Sequence, residues 1–214
     1  MRNIDFQNSE YYHIFNRGVD KRDIFCDDKD FTRFIICLRE FNTIKPIGSL
    51  HVQKELNSFA KEFSSLPEKL VNIACYALIK NHYHFILQQS IDNGIPKFMQ
   101  KISTGYTNYF NFKYNRSGSL FQGTYKAIPI ESTSQLEGLS SYINGNPEIH
   151  KIAKAENYLW SSYQDYLGKR NGTLCNKELI LNEFNDINDY KIFTNNFIKE
   201  SQTTKSEIKK YFLE

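Results

Sequence analysis

What this 214-residue chain lacks removes several classes of protein at once. Its four cysteines, Cys26, Cys37, Cys75 and Cys175, stand far apart and form no CxxC pair. That argues against a zinc knuckle and a disulfide framework, and it fits a reducing compartment. No apolar run approaches the length of a membrane span, and the opening Met-Arg-Asn-Ile-Asp-Phe-Gln-Asn holds no signal-peptide core. The expectation is a soluble, cytoplasmic protein with no membrane partner. No glycine-rich nucleotide loop, internal repeat or low-complexity tract is visible. The net charge of +3, from 27 cations against 24 carboxylates, is too mild to indicate nucleic acid by itself.

One absence is local. Between Asn93 and Ile130 there is no carboxylate, while Lys97, Lys101, Lys113, Arg116 and Lys126 all fall there. Eight aromatics are interleaved with them: Phe98, Tyr106, Tyr109, Phe110, Phe112, Tyr114, Phe121 and Tyr125. Rings that stack on bases beside cations that meet phosphates are what single-stranded nucleic acid binders use. A helix that buries its aromatics and keeps its lysines in water would read the same way.

The elements follow from periodicity. Tyr11 to Val19 reads as a strand closed by a turn at Gly18, and Asp27 or Asp28 can cap a helix carrying Phe31, Phe34, Ile35, Leu38 and Phe41. From Ile44 to Leu70 the chain is polar, and reads as an insertion or a short helix. Asn72 to Ile79 and the stretch from Ile79 to Leu87 read as strands, joined in a hairpin around Lys80-Asn81. Gly94-Ile95-Pro96 opens a helix reaching Phe112, Asn115 to Gly118 is a turn, and Ser119 to Ile130 is a strand region. Ser132 or Thr133 caps a further helix, stopped by Gly145 and Pro147. The order βαββαβα predicts an α+β, ferredoxin-like (RRM-like) fold, an antiparallel sheet of four to five strands with helices on one face. The division expected is a catalytic domain over residues 1–167 and a helical C-terminal extension over 168–214. Leu159 to Tyr163 would anchor back onto the core.

Alternation on a strand puts His82 and His84 on one face, half of a metal site; such a pair can equally pack or face solvent. If Tyr142 lies on a helix, Asn146 is one turn on and on the same face. A phenol oxygen and an amide oxygen could then reach the imidazoles together, with Asn146 as third ligand and Tyr142 as nucleophile on a phosphodiester. Alternatively, Tyr142 is a core aromatic of an amphipathic helix. Tyr83 and Tyr106 are rival nucleophiles, but alternation turns Tyr83 to the opposite face and Tyr106 has no Asn-Pro companion.

Four segments in order carry a resemblance: Asn16-Arg17-Gly18; Asn81-His82-Tyr83-His84; Gly118 to Lys126; and Tyr142-Ile143-Asn144-Gly145-Asn146-Pro147. Together they resemble the single-tyrosine HUH transposases of the insertion-sequence 200/605 type, most closely the REP-associated tyrosine transposases. The resemblance covers roughly residues 10 to 165. It implies His82, His84 and Asn146 as ligands of Mg²⁺ or Mn²⁺, and Tyr142 as the nucleophile of a 5′-phosphotyrosine intermediate. It also implies nicking and strand transfer on single-stranded DNA beside hairpins, and a homodimer. The chain departs from the family at Ile79-Lys80, where Met-Pro is common, and at Tyr83, where an aliphatic residue is usual. Arg17, Lys113, Arg116 and Lys126 are candidate phosphate contacts. Two other readings stand beside it: a non-catalytic relative that binds hairpin DNA or RNA, and a metal-dependent nuclease with no covalent intermediate.

Overall fold

The structure, a computed structural model, describes residues 4–45 and 68–203. Most of the polar stretch from Ile44 to Leu70, residues 46–67, lies outside the described residues.

Strand β1 (Tyr11–Arg17) leads through a 3-10 turn to helix α1 (Asp28–Glu40), whose N-cap Asp27 accepts from the backbone N–H of Asp30. Strands β2 (Val71–Ile79) and β3 (His82–Gln89) form the expected hairpin; Ile79 belongs to β2, so the histidine strand begins at His82 itself. Helix α2 (Gly94–Lys113) follows, entered where a Cβ on Gly94 would lie 2.1 Å from the Leu70 carbonyl oxygen. Only glycine permits that approach.

Strand β4 is confined to Lys126–Pro129, shorter than the expected Ser119–Ile130. It is an edge strand, where proline is tolerated. Helix α3 (Thr133–Ile149) is capped by the Ser132 hydroxyl, which accepts from the Gln135 N–H. It does not stop at Gly145 or Pro147 as the sequence suggests, but runs on to Ile149. Two single turns, α4 (Tyr163–Tyr166) and α5 (Glu178–Leu181), and helix α6 (Ile187–Thr203) complete the described chain.

The sheet order is β2-β3-β1-β4, antiparallel throughout, which is the ferredoxin-like order with the histidine strand in the interior. One face carries Tyr12, Ile14, Tyr76, Leu78, Tyr83 and Phe85 and packs under α1 and α2, the two helices of the βαββαβ unit. The stripe Phe98, Ile102, Tyr106 and Phe110 of α2 is buried there, so these aromatics are core and not a stacking platform. Phe112 alone of that series is fully out, 90 % exposed.

The other face is covered by α3 and the C-terminal elements, packed with Cys75, Ala77 and Ile86. A bulge at Ala74 and Cys75 turns both residues toward that layer. Residues 159–176 lie along the outer edge of β2: Leu78 N–H donates to the Trp160 carbonyl, Ser162 N–H to that of Tyr76, and Asn176 N–H to that of Ile73. This strap fulfils the expected anchor and, among the described residues, covers the β2 edge at Ile73, Tyr76 and Leu78 against pairing with another strand. Arg170 locks it, forking onto both oxygens of Asp165 at 2.7 Å and onto the Ser161 carbonyl at 2.6 Å. The segment after 168 therefore shares a core with α3, with Ile180, Tyr190 and Ile198 buried in it.

Where the chain leaves for residues 46–67 and returns, the Asn42 amide donates to the Val71 carbonyl (2.8 Å) and accepts from the Val71 N–H (3.0 Å). Among the described residues no helix is long and apolar enough to cross a membrane.

Candidate functional site

The site is built on two cross-strand rows of the sheet face that α3 covers. In the first, Ala77, His84, Phe15 and Lys126 stand side by side on β2, β3, β1 and β4; in the second, Ile79, His82 and Arg17 do the same. The rows explain why distant residues meet. Arg17 and Lys126 reach the histidines by register, not by sequence spacing.

His82 and His84 are neighbours, their ring centroids 5.1 Å apart with planes at 86°. Each is held through Nδ1. The Nδ1 of His82 lies 2.7 Å from Asn81 Oδ1, and that of His84 lies 3.0 Å from Nε2 of His13 on the adjacent strand. Metal-binding histidines usually have their second nitrogen engaged in this way.

Helix α3 brings the other half. Tyr142 meets His84 edge-on at 5.8 Å, and His150, two turns further along the same stripe, meets His82 at 5.8 Å. Asn146 sits between them on that stripe. It is fully buried, and among the described residues neither atom of its amide finds a hydrogen-bond partner. A buried amide without partners is costly and marks a place where water or an ion belongs.

The intervening residues of the motif have other work. Asn144 donates to the Tyr190 hydroxyl and accepts from Ser162, and a Cβ on Gly145 would meet Ile198 Cγ1 of α6 at 2.6 Å. So Tyr142 and Asn146 face the histidines while Asn144 and Gly145 fasten α3 to its outer neighbours. Tyr142 is itself only 3 % exposed.

A cleft of about 280 Å³ opens onto the imidazoles, lined by Phe15, Asn16, Arg17, Lys21, Asn81, His82, His84, Gln122 and Lys126. Three cations and no carboxylate among the described residues make it a place for an anion. Arg17 is steadied by a hydrogen bond to Gln122, and the ammonium of Lys126 lies 5.7 Å from the centre of the Phe15 ring.

The other two expected phosphate contacts do not line it. Lys113 is 2.7 Å from Asp27 and 2.6 Å from the buried Asp30, whose carboxylate also accepts from the hydroxyls of Tyr109 and Tyr114. Arg116 donates to the Asn111 side chain and the Ser119 carbonyl.

Of the rival nucleophiles, Tyr83 lies on the opposite sheet face among Phe34, Phe85 and Phe121, where burial pushes its phenol well above the ordinary value. The Tyr106 hydroxyl donates to the Ile24 carbonyl at 2.6 Å and is likewise raised by burial. His13, Lys21 and His150 are site residues that sequence spacing did not find; Asn81 stood in the motif but without a role.

The donor set for a metal is two imidazoles and an amide. No group of three or more His, Cys, Asp or Glu suited to a metal occurs among the described residues. The orphaned Asn146 amide supplies what such a count omits, and imidazole with carbonyl oxygen fits a borderline divalent ion such as Mn²⁺.

A family model described as "Transposase IS200 like" matches residues 9–146. No curated protein matches the chain in sequence. Among solved structures, one described as a REP-associated tyrosine transposase bound to a REP hairpin is similar with a TM-score of 0.53 at 11 % identity, covering 81 % of this chain and 88 % of that one. At that identity the likeness shows a shared fold.

Proposed function

The chain belongs to the IS200-like transposase family, and from that premise we propose that it nicks single-stranded DNA and transfers the strand through a covalent link to Tyr142. The observation that carries the reading is the meeting of Tyr142 with His84 and of His150 with His82, along the α3 stripe that also carries the buried Asn146 amide, unsatisfied among the described residues. The structural neighbour's REP hairpin suggests single-stranded DNA with hairpin structure as the substrate.

His82, His84 and Asn146 would hold a divalent cation, Mn²⁺ or Mg²⁺. When bound, that ion neutralises charge on a phosphodiester oxygen and draws the phosphate to the site. Arg17, Lys21 and Lys126 grip the flanking backbone in the cleft. The phenol oxygen of Tyr142 attacks phosphorus, the bond from phosphorus to the 3′-oxygen breaks, and that oxygen leaves with a proton. The 5′-phosphotyrosine keeps the energy of the broken ester, so a second 3′-hydroxyl can displace Tyr142 and rejoin DNA without ATP. Because Tyr142 is nearly buried, its oxygen meets the phosphate through the cleft beside His84 or by a shift of α3. Its ring lies beside His84 of the same chain, which supports attack in cis.

Incubation with hairpin-bearing single-stranded DNA and Mn²⁺ should give a protein–DNA adduct that survives denaturation. Tyr142→Phe should abolish it and His82→Ala should weaken it by orders of magnitude. Cleavage that persists in Tyr142→Phe without adduct would mean a water-using nuclease; binding with neither product would mean a non-catalytic relative. A mixture of the Tyr142→Phe and His82→Ala proteins should remain inactive, whereas attack in trans would restore the adduct.

A further inference from the structure

We infer that His13, a residue outside every motif of the site, is a positioning residue: its Nε2 accepts the Nδ1 proton of His84 and so holds His84 in the one neutral form whose Nε2 can bind a divalent cation. The inference rests on the metal reading above.

The two rings lie 3.0 Å apart, nitrogen to nitrogen, and both residues are 1 % exposed. A neutral imidazole carries one N–H, so one ring must donate and the other accept. If His84 donates from Nδ1, its Nε2 keeps a lone pair for a metal. If His13 donates from Nε2, His84 must carry its proton on Nε2 and cannot ligate. At this depth a mismatch would leave a polar nitrogen against a like partner, a cost of kilocalories.

The contrast with His82 shows why His13 matters. Asn81 Oδ1, 2.7 Å from His82 Nδ1, is a carbonyl oxygen and can only accept. His82 is therefore fixed by a partner with one option, whereas His84 depends on a partner with two. His13 is itself held flat, stacked on Phe15 at 4.6 Å and 25° and nearly parallel to His84 at 18°. It stands on β1 opposite Ile86, diagonal to His84, so the hydrogen bond is set by the central strand pairing.

The test uses the full chain and two substitutions. His13→Phe keeps the ring and its stacking but removes the acceptor. His13→Gln offers an amide oxygen at a similar reach.

Nitrogen-15 NMR of the metal-free protein should show His84 protonated on Nδ1 in the wild type and in His13→Gln, and shifted toward the Nε2–H form in His13→Phe. Titration with Mn²⁺ should show His13→Phe weaker by about 10–100-fold, the loss typical when a ligand's hydrogen-bond partner is removed. His13→Gln should return close to wild type. Wild-type His84 found as the Nε2–H form overturns the inference, as does a His13→Phe protein with unchanged tautomer and affinity. Should His13→Phe fail to fold, the wild-type tautomer and His13→Gln still decide. If the wild type takes up no Mn²⁺, alone or with hairpin DNA, the metal reading falls, and the His84 tautomer still decides for or against His13.

Discussion

Tyr83, Tyr106 and Tyr142 carry the same phenol, yet their surroundings assign them different work. Tyr83→Phe should still form the DNA adduct, since its hydroxyl lies across the sheet with a pKa pushed up by burial; an adduct lost in that variant would move the nucleophile. The lysines divide in the same way. Lys126→Ala should weaken DNA binding for every sequence and lower the salt slope by about one, as expected for a cation lining the cleft. Lys113→Ala should act on stability instead, because it strands Asp30, whose side chain is 0 % exposed. Breaking a buried pair costs roughly 3–5 kcal/mol, and the two tyrosine hydroxyls and the Cys26 N–H that remain on Asp30 should hold the loss below that. Urea unfolding and salt-dependent binding separate the two roles. A Lys113 variant of normal stability that binds DNA poorly would reverse the assignment.

At the scale of elements, α3 shows what a linear pattern reveals and what it hides. The four-residue step from Tyr142 to Asn146 was legible because a helix has a fixed period, and the pairing of His82 with His84 because a strand alternates. The helix end was not. Gly145 and Pro147 look like a stop, but Gly145 is there to let Ile198 approach, and that partner lies over fifty positions away. Gly145→Ala should therefore cost about 1–3 kcal/mol through overpacking, and adding Ile198→Val or Ile198→Ala should recover part of it in a double-mutant cycle. Additive losses would mean the two do not share the contact. The aromatics of α2 posed the opposite problem: composition suited a stacking surface equally well, and only tertiary packing decided for the core. His13, 71 residues from His84, was invisible because register between strands leaves no local trace.

For the whole molecule, two layers of buried phenols give a response to alkali. Burial raises the pKa of Tyr83, Tyr106, Tyr166 and Tyr190, and pushes Tyr163 up to about 12. The folded state thus holds protons that the unfolded chain releases near pH 10, the ordinary tyrosine value of about 10. Stability from these groups is intact below that pH and falls as pH rises toward the folded values. Tyrosinate absorbance for them should appear only together with loss of structure; smooth titration of a folded protein would contradict it. Removing residues 168–203 takes away Ile180, Tyr190 and Ile198 and should bare Tyr163, Tyr166 and the outer side of α3, together with the Ile73 end of β2 that Asn176 covers, and yield a protein that unfolds at lower urea or associates.

The Asn42–Val71 clasp has a consequence for how the chain can be rebuilt. Two hydrogen bonds tie Asn42, just after α1, to Val71 at the start of β2 and so hold these two points of the chain together. The entropic cost of closing a loop rises by only about 0.6 kcal/mol for each doubling of its length. A fluorescent reporter or affinity handle spliced between residues 46 and 67 should thus leave the histidine strand in register, which makes this neck the natural port for following the protein on DNA.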